Sequence, residues 1–152
     1  ILCGGEALSE QLKQQFLDTK SEAWNMFGPT ETTIWSGVQR ITENESALTI
    51  GRPIANTRVY MMDSNLNPVL EGVPGELCIA GDGLARGYFN KPELTDKAFV
   101  SHRLEQGSKL YKTGDMARFL PGGRIEYMGR MDSQVKIRGS AEKSRAILKD
   151  FR

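Results

Sequence analysis

Three segments carry the residue types that a phosphate-bearing ligand needs. The first reads Asn25-Met26-Phe27-Gly28-Pro29-Thr30-Glu31-Thr32-Thr33. An apolar run ends at Gly28-Pro29 and opens into hydroxyls beside one carboxylate. Threonine hydroxyls and backbone amides suit phosphate oxygens, and a lone glutamate suits a hard cation such as Mg2+. The same residues fit a helix cap, with Thr30 or Thr32 capping and Glu31 in the first turn. The second segment runs from Gly75 through Glu76, Gly81, Gly83 and Arg86 to Tyr88. Its glycines do not fit a dinucleotide fingerprint, because no helix follows at the right place. A hairpin with a glycine-rich connection is the favoured reading, with Arg86 and Tyr88 packing or pairing. The third is Tyr111-Lys112-Thr113-Gly114-Asp115, followed by residues 129–139. A carboxylate at Asp115 can accept two hydrogen bonds from a ribose diol, or it can form a turn. Arg130 can counter a phosphate as a planar fork, or make a surface ion pair worth little. Asp132, Lys136 and Arg138 sit in a charged stretch ending at Gly139, which reads as a hinge or a solvated edge strand.

The other candidates are weaker. His102 is the only histidine; it lies among polar residues and reads as a surface group. Cys3 and Cys78 lie in apolar runs and read as small core residues. Neither an HExxH run nor paired cysteines suggests a metal cluster. Trp24 and Trp35 flank the first segment. Core packing is their default, and Trp35 can also line a pocket.

These segments need elements to hold them. Residues 1–3 read as a short buried strand and Gly4-Gly5 as its turn. Ser9 is a good N-cap, and Leu8, Leu12 and Phe16 recur at helical spacing over about three turns. Residues 23–27 then predict a second strand, parallel to the first across that helix. Beyond about residue 43 the character changes. Strand-like runs follow at 58–62, 76–80, 110–119, 124–127 and 134–137, separated by Asn67-Pro68, Val73-Pro74-Gly75, Gly81-Asp82-Gly83 and Pro121-Gly122-Gly123. One helix is expected at 92–99, and helical character returns at 140–152. The pattern is α/β: the end of an α/β layer followed by a small antiparallel sheet or barrel.

Composition excludes several classes. The 152 residues carry 20 basic and 19 acidic side chains, a net charge of +1. That argues against nucleic-acid binding through bulk charge. With 39% hydrophobic and 26% charged residues the chain is an ordinary globular one. No apolar run approaches the roughly 18–20 residues that span a bilayer, so no membrane partner is expected. Two cysteines and no leader pattern point to reduced thiols and a cytoplasmic setting. The chain opens on Ile1-Leu2-Cys3, an apolar start that reads as a fragment of a longer protein.

Taken together, the segments resemble the adenylate-forming enzymes, and most closely the adenylation domains of nonribosomal peptide synthetases. The resemblance runs collinearly from Ile1 to Gly139. Residues 25–31 resemble Asn-x-Tyr-Gly-Pro-Thr-Glu, with Phe27 in place of Tyr. Residues 75–88 resemble Gly-Glu-Leu-x-Ile-x-Gly-x-Gly-x-Ala-Arg-Gly-Tyr, and 111–115 resemble Tyr-Arg/Lys-Thr-Gly-Asp. Residues 129–139 resemble Gly-Arg-x-Asp-x-Gln-Val-Lys-Ile-Arg-Gly. The implied fold is the end of an α/β layered N-terminal subdomain (residues 1–43), a distorted antiparallel β-barrel subdomain (44–131), and a hinge with a diverged tail (132–152). The implied reaction makes an acyl-adenylate from MgATP and a carboxylic acid, then passes the acyl group to a carrier-protein phosphopantetheine. By resemblance Thr30 touches phosphate, Glu31 holds Mg2+, Asp115 binds the ribose, and Arg130 assists at ribose or phosphate. Phe27 stacks on adenine, with Asn25 and Tyr127 nearby, and Gly4, Gly5 and Glu6 border it. Asp132 is the hinge, with Lys136 close by.

Ile1, Cys3, Met26, Gly28, Ile34 and Trp35 match the substrate pocket. They supply no charge, which implies a small or apolar substrate, such as an amino acid. A carrier-protein domain and neighbouring synthetase domains are the implied partners. Two departures matter. The upstream phosphate loop is not in this sequence, and residues 140–145 do not match the usual Arg-x-Glu-x-x-Glu continuation. The isolated 152 residues are therefore expected to show no turnover. Two rivals stay open: an acyl- or aryl-acid ligase of the same superfamily, and a non-catalytic interaction module built on the fold.

Overall fold

The structure is a computed structural model. It describes residues 1–44 and 49–131, and the backbone of 134–137 and 140–143. The chain is a mixed α/β fragment built on one long sheet. Strand β1 (Leu2–Gly4), helix α1 (Glu10–Asp18) and strand β2 (Trp24–Phe27) form its start. β1 and β2 are parallel, with Leu2 opposite Trp24. The Ser9 side chain accepts from the Leu12 N–H at 3.2 Å, the expected cap of α1. Leu8, Ala23 and Ile41 are buried between helix and sheet, with Leu12, Phe16 and Leu17 against them. β1 is an edge strand, and Ile1 and Leu2 are exposed rather than buried.

The remainder is antiparallel. Strands β3 (Gly37–Arg40), β4 (Thr49–Pro53), β5 (Thr57–Met62), β6 (Gly75–Gly81), β7 (Phe99–Ser101), β8 (Lys109–Leu120) and β9 (Arg124–Arg130) extend the sheet. The order across it is β1-β2-β3-β4-β9-β8-β6-β5, with β7 also on β8. The hydrogen-bonded path is open at β5. Both faces of the antiparallel part are covered. One buries Ile50, Met61, Leu77, Ala117 and Ile125; the other buries Met62, Cys78, Ala80 and Leu110. Neighbours such as Leu77 and Cys78 fall on opposite faces, as strand periodicity requires. Helix α2 (Pro92–Ala98), opened by Pro92, lies just before β7.

Several expectations change here. β3, β4 and β7 were not legible as strands. The run at 75–88 is not a hairpin. β6 pairs with β5 and β8, and residues 82–91 leave the sheet to reach α2. His102 is buried rather than on the surface: its residue is 4% exposed and its ring meets Tyr60 edge-on at 4.7 Å. Helical character at 140–152 fails at its start, because β11 (Ser140–Lys143) pairs with β10 (Gln134–Ile137) in a separate antiparallel hairpin. The rest of the tail lies outside the described residues.

Leu77 has no exposed surface and sits at the centre of one core face. Leu77→Ala is expected to lower unfolding free energy by about 3 kcal/mol, read as a shift of the urea midpoint at unchanged slope.

Candidate functional site

The first motif is a turn that folds back on its own strand. After β2 the chain makes a single 3-10 turn at Thr30–Thr32, with Glu31 in it. The capping reading holds only in part, because Pro29 precedes the turn and no side chain caps it. Thr32 is instead the buried anchor: its hydroxyl donates to the Pro29 carbonyl at 3.1 Å and lies 2.6 Å from the Ser36 hydroxyl. Thr30 stays exposed. Ser36 N–H donates to the Phe27 carbonyl at 2.7 Å and closes the loop. Thr33 and Ile34 both take positive φ, 58° and 74°. Two consecutive β-branched residues in that region are strained. Gly28 is required here, since a Cβ would run into the Ile34 carbonyl and the Trp35 backbone.

The pocket residues divide. A Cβ on Gly4 would meet the Trp35 ring at 2.7 Å and the Met26 carbonyl at 2.5 Å. Gly4, Met26 and Trp35 are therefore one layer, with Trp35 laid against bare backbone. Cys3 is half-buried beside the α1 core, and burial pushes its thiol up. Ile34 is 62% exposed, and Ile1 and Glu6 are exposed too. Gly5, at φ 95°, has open space where a side chain would stand. Asn25 is buried, and its side-chain N–H donates to the Thr49 carbonyl at 2.9 Å. That bond ties β2 to β4. Phe27 and Tyr127 are half-buried and pack on the same core face, beside Ile50 and Leu77.

The second motif docks on the first. Ala85 N–H donates to the Glu31 carbonyl at 2.8 Å, and the Thr33 hydroxyl donates to the Gly83 carbonyl at 2.7 Å. The Tyr88 phenol donates to Glu31 Oε1 at 2.6 Å. Arg86 is exposed, whereas Tyr88 is half-buried. Tyr88, Phe99 and Tyr111 form a line of rings, with centroids 5.8 and 5.1 Å apart. Burial, then the Glu31 carboxylate, pushes the Tyr88 phenol up to about 12. Burial and the charge on Glu31 raise Tyr111 as well. Both phenols are thus held neutral, and Tyr88 donates to that carboxylate.

The third motif lies on β8, where Tyr111, Thr113, Asp115 and Ala117 are the alternate buried positions. Asp115 is 5% exposed, and Arg130 Nη1 reaches its Oδ1 at 3.1 Å. The same Nη1 donates to the Thr113 carbonyl at 2.9 Å. Asp115 is therefore not a turn residue, and Arg130 is not a surface partner. The pair sits across β8 and β9, where Asp115 and Arg130 are directly opposite. Asp132 lies outside the described residues, and of Lys136 only the backbone, in β10, is described. Among the described residues no group of three or more His, Cys, Asp or Glu is placed to hold a metal ion. Glu31 presents its carboxylate from the turn after β2. Sequence reasoning treated Tyr88 and Tyr111 as minor. The only signal was a phenol closing an otherwise apolar, glycine-rich run.

With this geometry in hand, comparison with known proteins identifies the class. Residues 1–89 match the AMP-binding enzyme family, and the chain belongs to it. Tyrocidine synthase 3 of Brevibacillus parabrevis is 51% identical over 144 residues, covering 91% of this chain and 2% of that protein. A solved NRPS protein containing adenylation and PCP domains, bound to a vinylsulfonamide inhibitor, superposes with a TM-score of 0.88. It is 33% identical and covers 99% of this chain and 28% of its own. A four-domain nonribosomal peptide synthetase bound to AMP and glycine gives a TM-score of 0.79 at 46% identity, over 93% of this chain and 11% of that one. The fold is thus that of synthetase adenylation domains, and the chain spans a small fraction of the length of these relatives.

Raised phenol values have a pH consequence. A folded value above the ordinary 10.0 means the folded state holds its proton more tightly. Stability from Tyr88 is complete below 10 and is lost as pH rises towards about 12. Tyr88→Phe is expected to lower stability at neutral pH by about 1 kcal/mol and to flatten the alkaline limb of melting temperature against pH.

Proposed function

We propose that this chain supplies the nucleotide- and substrate-facing part of an adenylation domain that activates a small carboxylic acid, an amino acid with a small or apolar side chain. What supports this is a pair of held carboxylates: Glu31 on the turn after β2, bonded by the Tyr88 phenol, and Asp115, buried on β8 and paired with Arg130 of β9.

In the proposed reaction a carboxylate oxygen of the acid attacks the α-phosphorus of ATP. The bond to the bridging oxygen of the β-phosphate breaks, and pyrophosphate leaves. Asp115 accepts from the ribose hydroxyls, which fixes the nucleotide along β8. Thr30, exposed at the turn, donates to phosphate oxygens. Arg130 is already committed to Asp115, so it orients that carboxylate and adds positive charge near ribose or phosphate. Phe27 and Tyr127 offer flat apolar area for adenine, beside the backbone of Gly4 and Gly5 and near Glu6, while Asn25 holds β2 in place. Glu31 fits Mg2+, which commonly keeps most of its waters and binds one or two carboxylates plus substrate phosphates. Once bound, the ion neutralises phosphate charge. Met26 and Trp35 fill the far end of the substrate pocket, with Gly28 and Cys3 beside them and Ile34 and Ile1 at its exposed rim. None of these brings a charge, which favours an uncharged side chain on the acid.

The phosphopantetheine thiol of a carrier domain, losing its proton, then attacks the acyl carbon of the adenylate. The bond from that carbon to the phosphate oxygen breaks, AMP leaves and a thioester remains, with Asp132 as the hinge and Lys136 beside it. The relative that joins adenylation and PCP domains supports this partner. The relative holding AMP and glycine supports both nucleotide and a small amino acid. Residues 1–43, 44–131 and 132–152 are the corresponding divisions, and the working compartment is the cytoplasm. Among the described residues, no helix is long and apolar enough to cross a membrane.

Substrate-dependent exchange of labelled pyrophosphate into ATP tests this in the full protein that carries these residues. A panel of amino, keto and aryl acids is expected to give exchange with a small apolar amino acid. Exchange only with aryl or fatty acids would favour the ligase reading, and none would favour a non-catalytic module. Glu31→Gln is expected to raise the Mg2+ concentration for half-maximal exchange about tenfold or more.

A further inference from the structure

Thr113-Gly114-Asp115 is where β8 leaves register with both neighbours. On the β6 side Glu76 pairs with Met116 and Cys78 with Lys112. Leu77 alone therefore faces Thr113, Gly114 and Asp115, so β8 carries two extra residues. On the β9 side Met116 pairs with Gly129 and Ala117 with Tyr127, which leaves Met128 unmatched. Bulges of this kind re-aim a side chain, and here the re-aimed residue is Asp115. Gly114 takes φ 72°, open to glycine at little cost.

Such a bulge strands backbone groups that the ladder would have paired, and each has a substitute. The Thr113 carbonyl accepts from Arg130 at 2.9 Å, and the Gly114 carbonyl accepts from the Met131 N–H at 2.8 Å. Asp115 N–H donates to the Thr113 hydroxyl at 3.0 Å, and that hydroxyl donates to the Leu77 carbonyl at 2.7 Å. The Gly114 N–H donates to Glu76 Oε1 at 3.2 Å. Glu76 is a poor residue for a strand between two others, and its side chain is 12% exposed. Its other oxygen, Oε2, lies 3.4 Å from Lys112 Nζ. A threonine or valine would suit β6 better. What glutamate adds is an acceptor long enough to reach the N–H next to Asp115.

We propose that Glu76 is a positioning residue that sets the aim of Asp115, and through it the preference of the site for ribose over 2′-deoxyribose nucleotides. This rests on reading Asp115 as the ribose ligand. Glu76 itself touches no nucleotide.

The test compares kcat/KM for ATP with kcat/KM for 2′-deoxy-ATP in pyrophosphate exchange by the full protein. A site built to bond a hydroxyl rejects the analogue lacking it, so the wild-type ratio is well above one. Glu76→Met fills the same volume without an acceptor and is expected to cut the ratio about tenfold. Glu76→Gln keeps an acceptor oxygen and is expected to retain the ratio. Lys112→Met removes the ion pair alone and is also expected to retain it. Asp115→Ala, which removes the acceptor, is the reference, and its ratio is expected to collapse. An unchanged ratio in a folded Glu76→Met, beside a collapsed one in Asp115→Ala, overturns the role of Glu76. If Glu76→Met does not fold, a ratio lost in Glu76→Gln overturns it equally, because the acceptor is still present. An unchanged ratio in Asp115→Ala overturns the ribose reading, and the inference with it.

Discussion

A carboxylate in the middle of a sheet is the constraint around which the rest is arranged. Asp115 is almost wholly buried, and a buried charge is tolerated only when paired and hydrogen-bonded. Arg130 supplies the pairing from the directly opposite position on β9. For that opposition to exist, β8 must bulge, β9 must carry an extra residue, and the freed backbone groups must find new partners. The Thr113 hydroxyl, the Glu76 carboxylate and the Arg130 guanidinium provide them. A plain antiparallel sheet would be more regular without any of these. Their joint presence concentrates polar groups where packing alone favours apolar ones.

A second consequence follows from burial on both faces. Because the antiparallel strands are covered on each side, the loop between β6 and α2 has a firm base on β8 and β7. From there it reaches the turn after β2, far away in sequence, and grips Glu31 at both its carbonyl and its carboxylate. The Tyr88, Phe99 and Tyr111 rings transmit that position from the core to the loop. The α/β start and the antiparallel part are thereby joined at the residues with most chemistry. Strain at Thr33 and Ile34 is held by the same contacts.

Legibility in the sequence followed length and periodicity. Helix α1 and strands β2, β5, β6, β8 and β9 showed through their caps, turns and apolar alternation. β3 and β7 did not, because four and three residues are too few to show a period. β4 was hidden by Gly51 and Pro53, residues that ordinarily punctuate rather than build strands. His102 misled because its neighbours are polar, whereas its burial comes from Tyr60, 42 positions away. At the site, Glu31, Asp115 and Arg130 stood out by type and motif. Tyr88 and Glu76 did not, since their partners lie 57 and 38 positions away and no local pattern encodes such pairs.

The nucleotide is proposed to lie along β8, between the Glu31 turn and the Asp115–Arg130 pair. Amide hydrogen exchange of the full protein, with and without MgATP, locates it most directly. Slowed exchange is predicted at residues 27–36 and 112–117, with residues 99–108 unchanged. Slowed exchange only outside those two segments, or none at saturating nucleotide, would contradict it.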